Sequence, residues 1–268
     1  MKKLICLGFG LAALACAQEP QRLTLPFRDP SMPKKLNVEL MLGSITVKGY
    51  DGNDAIIEYT GRSIRPSGRG GDAPPGMHRI GGSGGLEVTE EANTIRIRNG
   101  SFISRGDLVI QVPVQTSVTV KTMSGQNLTV DNIAGEIEAN NFNGQVTVTN
   151  ASGSVVAHSM NGKVTVSLNK VAPDKNMSFS TMNGDVDVTL PADTKANLRM
   201  RADDGDIFTD FDVNMGPPAA PQVQEEKDKS GRPRTRARIS GAEQGTINGG
   251  GPEMQFTTFN GRILIHKK

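Results

Sequence analysis

Along the middle of the chain, apolar and polar residues alternate in short runs, and each run follows a glycine. Val146 and Val148 follow Gly144, and Val164 follows Gly162 at the same offset of two residues. Residues two apart lie on the same face of a β-strand, and branched side chains such as valine suit a pleated surface. The pattern therefore predicts short strands that each present one apolar face.

A three-residue motif ends in the glycine that precedes each run: an apolar residue, a small polar residue and the glycine itself. Consecutive glycines in the central copies are 19, 18 and 22 residues apart. Glycine, and to a lesser degree asparagine, adopts positive φ, so the motif predicts a turn. The copies are Met123-Ser124-Gly125, Phe142-Asn143-Gly144, Met160-Asn161-Gly162, Met182-Asn183-Gly184 and Phe259-Asn260-Gly261.

One such strand cannot bury its apolar face alone, so copies at a fixed period are expected to stack. We therefore predict an all-β fold, a parallel β-solenoid with stacked coils of about 19–22 residues. A meander of β-hairpins is the alternative because Asn-Gly is also a hairpin signal. Hairpins, however, do not require the same offset from every glycine. The predicted repeat core comprises Met123, Phe142, Val146, Val148, Met160, Val164, Val166, Met182, Val186, Val188, Phe259 and Ile263.

The composition fits thin aliphatic layers. Aromatic residues make up 4% of the 268 residues, with no tryptophan, whereas glycine contributes 31. This composition excludes a large aromatic-rich core. No helical apolar period occurs after residue 20, which agrees with an all-β chain.

The N-terminal residues resemble an export signal. Two lysines precede an apolar run over 4–14 that is too short to span a membrane. Residues 1–17 are therefore predicted to be a signal peptide. The protein is expected in the periplasm, on the outer-membrane surface or outside the cell, with no membrane span in the mature chain. Simple cleavage after Ala17 is one alternative; the other is a lipoprotein-type signal, in which Cys16 is the lipidation site.

Residues 18–35 are proline-rich and are predicted to form a leader or tether, and residues 36–268 to form the solenoid domain. Two stretches interrupt the periodicity of that domain. Residues 61–85 are rich in glycine and proline, and residues 214–238 combine prolines with a run of charges. Both are predicted to be long irregular loops.

The charge balance argues against a nucleic-acid partner. The chain has 30 basic and 28 acidic residues, and removal of Lys2 and Lys3 with the signal would leave 28 of each. A neutral protein has no net field for a polyanion. Alternating arginines within the second predicted loop would face one way in an extended chain, where they could contact an anionic surface or pair with the acidic residues of 225–228. They are Arg232, Arg234, Arg236 and Arg238.

The sequence predicts no catalytic residue, no metal site and no cofactor. Five aspartates between 203 and 212 suggest calcium or the paired carboxylates of a glycoside hydrolase, but the Asp-Gly pair among them takes the place of the turn motif. His78, His158 and His266 are isolated in the sequence. The two cysteines lie in or next to the signal, so neither a disulfide scaffold nor a metal site is expected. The chain is predicted not to be an enzyme.

Leu108 to Pro113, the repeated Asn-Gly turns and the closing segment 260–263 together resemble the bacterial putative adhesin family, exported β-strand-repeat proteins of largely unassigned function. The resemblance covers roughly residues 36–268 and implies a β-solenoid at the cell envelope, with no catalytic residues to transfer. We therefore expect a non-catalytic structural or adhesin-like protein that binds an envelope protein or a polysaccharide. A polysaccharide-acting β-helix enzyme and an envelope sensor or regulator are the alternatives.

Overall fold

The computed structural model describes residues 21–29, 31–63, 86–99, 104–124, 126–217, 222–227, 233–238 and 241–268. Within these ranges the regular structure consists of β-strands. The strands are β1 (Gln21–Pro26), β2 (Lys35–Leu42), β3 (Ile45–Tyr50), β4 (Asp54–Ser63), β5 (Leu86–Glu91), β6 (Thr94–Asn99), β7 (Ser104–Pro113), β8 (Ser117–Ser124), β9 (Asn127–Asp131), β10 (Ile137–Asn143), β11 (Gln145–Ala151), β12 (Val155–Asn161), β13 (Val164–Leu168), β14 (Met177–Asn183), β15 (Val186–Leu190), β16 (Ala196–Asp204), β17 (Ile207–Thr209), β18 (Asn214–Met215), β19 (Gln222–Lys227), β20 (Pro233–Arg238), β21 (Glu243–Ile247), β22 (Glu253–Asn260) and β23 (Ile263–Lys267).

Two long sheets contain all of these strands except β19 and β20. Sheet I has the order β1-β4-β7-β3-β9-β11-β13-β15-β23-β17, and sheet II has the order β18-β21-β16-β22-β14-β12-β10-β8-β2-β6-β5. Neighbours in the middle of both sheets pair in parallel, which a meander of hairpins cannot produce. Each coil contributes one strand to sheet II and the next strand to sheet I. The predicted all-β parallel solenoid is confirmed.

Stacked coils stay in register residue by residue. Val146 pairs with Val164, Val164 with Val186, and Val186 with Ile263. Strand neighbours lie about 4.8 Å apart, so these side chains form a continuous inward column. The inward side chains of both sheets meet in one core. The buried residues of the predicted repeat core are Val146, Val148, Val164, Val166, Val186, Val188 and Ile263, each 0% exposed.

The order of the coils in space differs from their order in the chain at both ends of the solenoid. The β2–β3 coil lies between the β6–β7 and β8–β9 coils, and the β22–β23 coil lies between β14–β15 and β16–β17. The last coil of the sequence is therefore not the last of the stack. Phe256 of β22 packs on Phe179 of β14 with ring centroids 5.2 Å apart. The β16–β17 coil, whose strand β17 has only 3 residues, lies outside the β22–β23 coil in the stack.

Antiparallel strands cover the ends of the parallel stack. Strands β4 and β1 extend sheet I, and β5 extends sheet II, at one end; β21 and β18 extend sheet II at the other. Short antiparallel strands limit the pairing of a sheet edge with other chains. Because β1 lies within residues 18–35, part of the predicted leader is an edge strand of the fold.

The two predicted loops need correction where the structure describes them. Residues 61–63 belong to β4, and 64–85 lie outside the described residues. Within 214–238, β18 pairs with β21 at the end of sheet II, and β19 pairs with β20 in an antiparallel hairpin. The prolines at 217, 218 and 221 that prompted the loop prediction fall between β18, which ends at Met215, and β19, which begins at Gln222.

The predicted signal peptide, including Cys16, also lies outside the described residues. Arg232 of the arginine run does so as well. In the part of the chain that the structure describes, no helix is long and apolar enough to cross a membrane.

Candidate functional site: an apolar stripe on sheet II

The apolar residue of the turn motif lies on the outside of sheet II. Met123, Phe142, Met182 and Phe259 are 54%, 47%, 43% and 50% exposed, and Met160 is half-buried. The prediction that these residues belong to the repeat core is therefore wrong. The residue just before each of them points inward, as with buried Asn141 beside Phe142.

The error has a geometric cause. The motif residue and the valines after the glycine are an even number of positions apart, which would place them on one face of a continuous strand. The chain instead turns at the glycine from sheet II to sheet I. Gly144, with φ of +139°, lies at the point where the inward parity changes. Ala139 is buried in β10 at an odd position, whereas Val146 and Val148 are buried in β11 at even positions.

The outward residues form a continuous column across six neighbouring strands, which we call the apolar stripe. Register places Met41 of β2 beside Met123 of β8, and the column continues through β10, β12, β14 and β22. Five strand spacings give a length of about 24 Å along the solenoid axis. The stripe consists of Met41, Met123, Phe142, Met160, Met182 and Phe259.

A cavity of about 490 Å³ opens at one end of the stripe. Met41, Met123 and Phe142 contribute its apolar lining, and charged residues stand beside them. These charges are already paired within the protein: Arg98 Nε lies 3.3 Å from Glu39 Oε2. In the same way, Lys121 Nζ lies 3.3 Å from a Glu138 carboxylate oxygen. The surroundings of the cavity are therefore close to neutral.

On β12, β14 and β22, buried hydroxyl groups next to the stripe bond to the turns of the adjacent coils. Ser159 Oγ donates a 2.8 Å hydrogen bond to the Gly144 carbonyl, and Thr181 and Thr258 repeat this contact with the glycine of the preceding coil at 2.8 and 2.9 Å. Next to the cavity the pattern is incomplete. Thr122 Oγ1 is buried with no hydrogen-bond partner.

An asparagine ladder runs parallel to the stripe at the corner of the solenoid. Asn161 Nδ2 donates to Asn143 Oδ1 at 2.8 Å, Asn183 donates to Asn161 at 2.7 Å, and Asn260 donates to Asn183 at 2.8 Å. Two neighbouring asparagines take no part in the ladder: Asn140 donates to Glu138, and Asn141 is buried.

A family comparison agrees with this architecture. The model of the family described as Toastrack DUF4097 matches residues 80–240, more than half of the chain. The chain belongs to the Toastrack DUF4097 family. The resemblance to adhesin-type repeat proteins, drawn above from the Asn-Gly turns, is thereby supported.

Solved structures similar to this Toastrack chain include two bacterial proteins. One is a putative cell adhesion protein from Clostridium sporogenes, with 12% identity, a TM-score of 0.46, and coverage of 93% of this chain and 100% of that one. The other is a putative adhesin from Bacteroides fragilis, with 11% identity, a TM-score of 0.39, and coverage of 94% and 98%. No curated protein matches the chain.

The aspartates and histidines considered as candidate site residues of this Toastrack chain contact different partners. Asp203 pairs with Arg201 at 2.8 Å, and Asp210 accepts a hydrogen bond from the backbone N–H of Lys267. Exposed His158 contacts Ser180 Oγ at 2.9 Å. Within the described ranges, no group of three or more histidine, cysteine, aspartate or glutamate residues is arranged to hold a metal ion.

One charged cluster was missed because its members come from different coils. Asp187 lies 2.7 Å from Lys163 Nζ and 3.5 Å from His266 Nε2. Two residues earlier, Asp185 accepts hydrogen bonds from the guanidinium and the backbone N–H of Arg262, which lower the pKa of the Asp185 carboxyl below its ordinary value. Sequence separations of 24 to 79 residues conceal these neighbours, and only coil stacking brings them together.

The described arginines of 232–238 lie on β20 of the hairpin. Arg234 is opposite Glu226 of β19 in the antiparallel register, and Arg236 is opposite Gln224. Pairing of these arginines with the acidic residues of 225–228 stays a prediction. The contact of the run with an anionic surface stays a prediction.

Proposed function

We propose that this protein is an exported, non-catalytic, adhesin-like solenoid of the cell envelope that binds its partner through the apolar stripe. The observation that carries the proposal is the exposure of four methionine and phenylalanine side chains in one unbroken column. Single exposed apolar residues are ordinary, but a contiguous apolar patch of several hundred Å² on a soluble protein marks an interaction site.

The solenoid holds this column rigidly. Each stripe residue sits on a strand that pairs on both sides, and the adjacent turns are linked by the asparagine ladder and by buried hydroxyl groups. A surface held in this way loses little conformational entropy on binding. Export is supported by the signal-like residues 1–17.

The non-catalytic part of the proposal is supported by the contacts of the carboxylates. Asp187, Asp203 and Asp185 each take part in an ion pair with a lysine or arginine. Such contacts neutralise these side chains, whereas a glycosidase requires two carboxyl groups free to face a substrate across a cleft.

Binding of the purified chain to isolated cell envelopes of the producing bacterium tests the proposal. The variant F142Q/M182Q makes the middle of the stripe polar, and we expect it to bind at least about tenfold more weakly, as for a hot-spot residue. The matched control T147Q/T165Q alters the outer face of sheet I in the neighbouring strands and should bind as the wild type does. Equal binding by the wild type and the stripe variant would refute the proposal.

A further inference from the structure

We infer that the partner of the apolar stripe is a second copy of the same chain, packed antiparallel, stripe against stripe. This inference rests on the proposed function, because it names the occupant of the same surface. The area of the stripe, the charge around it and the order of its residues each fit a second copy.

The exposed area suits a dimer of this size. A methionine or phenylalanine side chain presents about 200 Å², so the four half-exposed side chains leave roughly 400 Å² of apolar surface open on each copy. Two facing stripes with their flanking residues would bury on the order of 1,200 Å² in total, which reaches the lower end of stable protein interfaces. A small ligand would cover only the cavity end of the stripe.

The charge around the stripe favours a partner that is itself near neutral. Arg98 is paired with Glu39, Lys121 with Glu138, and Arg201 with Asp203. A strongly anionic or cationic partner would gain little from a surface whose charges are already compensated. A second copy brings the same balanced surface.

When two stripes are laid antiparallel, the order of their residues brings phenylalanine opposite methionine. From one end it reads Met41, Met123, Phe142, Met160, Met182, Phe259, as the strand register dictates. A two-fold axis parallel to the strands and centred between the third and fourth members places each phenylalanine opposite a methionine. Sulfur–aromatic contacts of this kind are favourable, and a two-fold interface of this kind pairs one patch with itself.

The neighbouring outward column is compatible with the same axis. In register order its members are Glu39, Lys121, Asn140, His158, Ser180 and Thr257. Reversal places Glu39 opposite Thr257 and Lys121 opposite Ser180. Among these six residues each charge therefore meets a hydroxyl group. The next members of the column, Arg98 of β6 and Arg201 of β16, come opposite each other, and each is already paired with a carboxylate of its own chain.

Sedimentation equilibrium of the purified full chain tests the partner. Over loading concentrations from about 1 to about 100 µM, we expect the wild type to approach twice the mass of one chain. F142Q/M182Q should self-associate at least about tenfold more weakly, and the T147Q/T165Q control should match the wild type. Circular dichroism would establish that all three chains are folded. A monomeric wild type, or a stripe variant that dimerises equally well, overturns the inference.

Disulfide trapping tests the orientation. In a C6S/C16S background, M123C mixed with M182C should give a mixed disulfide dimer, because the antiparallel axis places these two positions opposite each other. M123C alone should cross-link poorly, and efficient 123–123 cross-linking would overturn the antiparallel arrangement.

The outcomes separate the two proposals. A monomeric chain that still binds envelopes through the stripe refutes the second copy and retains the proposed function. A chain that neither dimerises nor binds envelopes refutes both.

Discussion

The two sheets carry very different residues on their outer faces, although the same coils form both. On sheet I the outward positions of β3, β9, β11 and β13 are occupied in register by half-buried threonines: Thr46, Thr129, Thr147 and Thr165. On sheet II the same coils present the methionines and phenylalanines of the stripe. Threonine suits a strand and keeps a hydroxyl in water. On these four coils the outer face of sheet I therefore needs no apolar residue, and the stripe that the same coils carry on sheet II is an addition suited to binding.

The largest expected effect compares an inward with an outward phenylalanine. Phe179→Ala removes a fully buried ring that packs on Phe256, and it should lower the free energy of unfolding by about 3–5 kcal/mol. Phe142→Ala removes a half-exposed ring and should cost less than about 1 kcal/mol. Urea unfolding of both variants measures the difference. Similar losses would mean that the stripe is part of the core.

The glycines of the turn should rank next. A Cβ on Gly184 would lie 2.5 Å from the Gly162 carbonyl oxygen, and φ of Gly184 is +148°. Gly184→Ala should therefore destabilise the chain by on the order of 2 kcal/mol or more, through strain and displacement of the neighbouring coil. Gly241 has no atom within 4 Å of such a Cβ, so Gly241→Ala is the control. Equal melting temperatures for the two variants would contradict close glycine stacking.

A smaller effect distinguishes the turns that accept a hydrogen bond from a buried hydroxyl group from the turn beside the cavity, which does not. Thr181→Val deletes the hydrogen bond to the Gly162 carbonyl and should lower the free energy of unfolding by about 1–2 kcal/mol, because that carbonyl loses its donor. Thr122 Oγ1 has no partner, so Thr122→Val should be neutral or stabilising. Guanidinium titrations of the two variants provide the measurement. A loss of equal size at Thr122 would indicate a contact made only in solution.

The smallest effect concerns the ion pair of Asp185 and Arg262. Because hydrogen bonds from Arg262 hold the pKa of Asp185 below its ordinary 3.8, the stabilisation is complete above that ordinary value and is lost as pH falls through the folded pKa. Asp185→Asn should therefore lower the free energy of unfolding at neutral pH by less than about 1 kcal/mol, as for exposed pairs. The wild type and the variant should converge in strong acid. A difference that persists unchanged down to strong acid would contradict this cause.

The candidate site was only half predictable from the sequence. The motif correctly located Phe142, Met160 and Met182 at equivalent positions of stacked coils. Its offset pattern assigned them to the interior, because periodicity along a chain cannot show that the chain changes sheets at the glycine. A signal was nevertheless present in β10, because buried Ala139 has the parity opposite to that of Phe142. The polarity of Asn141, Ser159 and Thr181 concealed it, since these buried residues resemble outward positions.

The sequence by itself determined the strand period, the turn glycines and the requirement that coils stack, because a strand with one apolar face is unstable alone. The tertiary structure decided which coil lies beside which and which side of each motif faces water. It places the chain's last coil inside the stack, where Phe256 meets Phe179. It also turns the methionines outward, since burying a hydroxyl that bonds a neighbouring glycine carbonyl holds adjacent coils together and leaves the apolar side chain beside it for a partner.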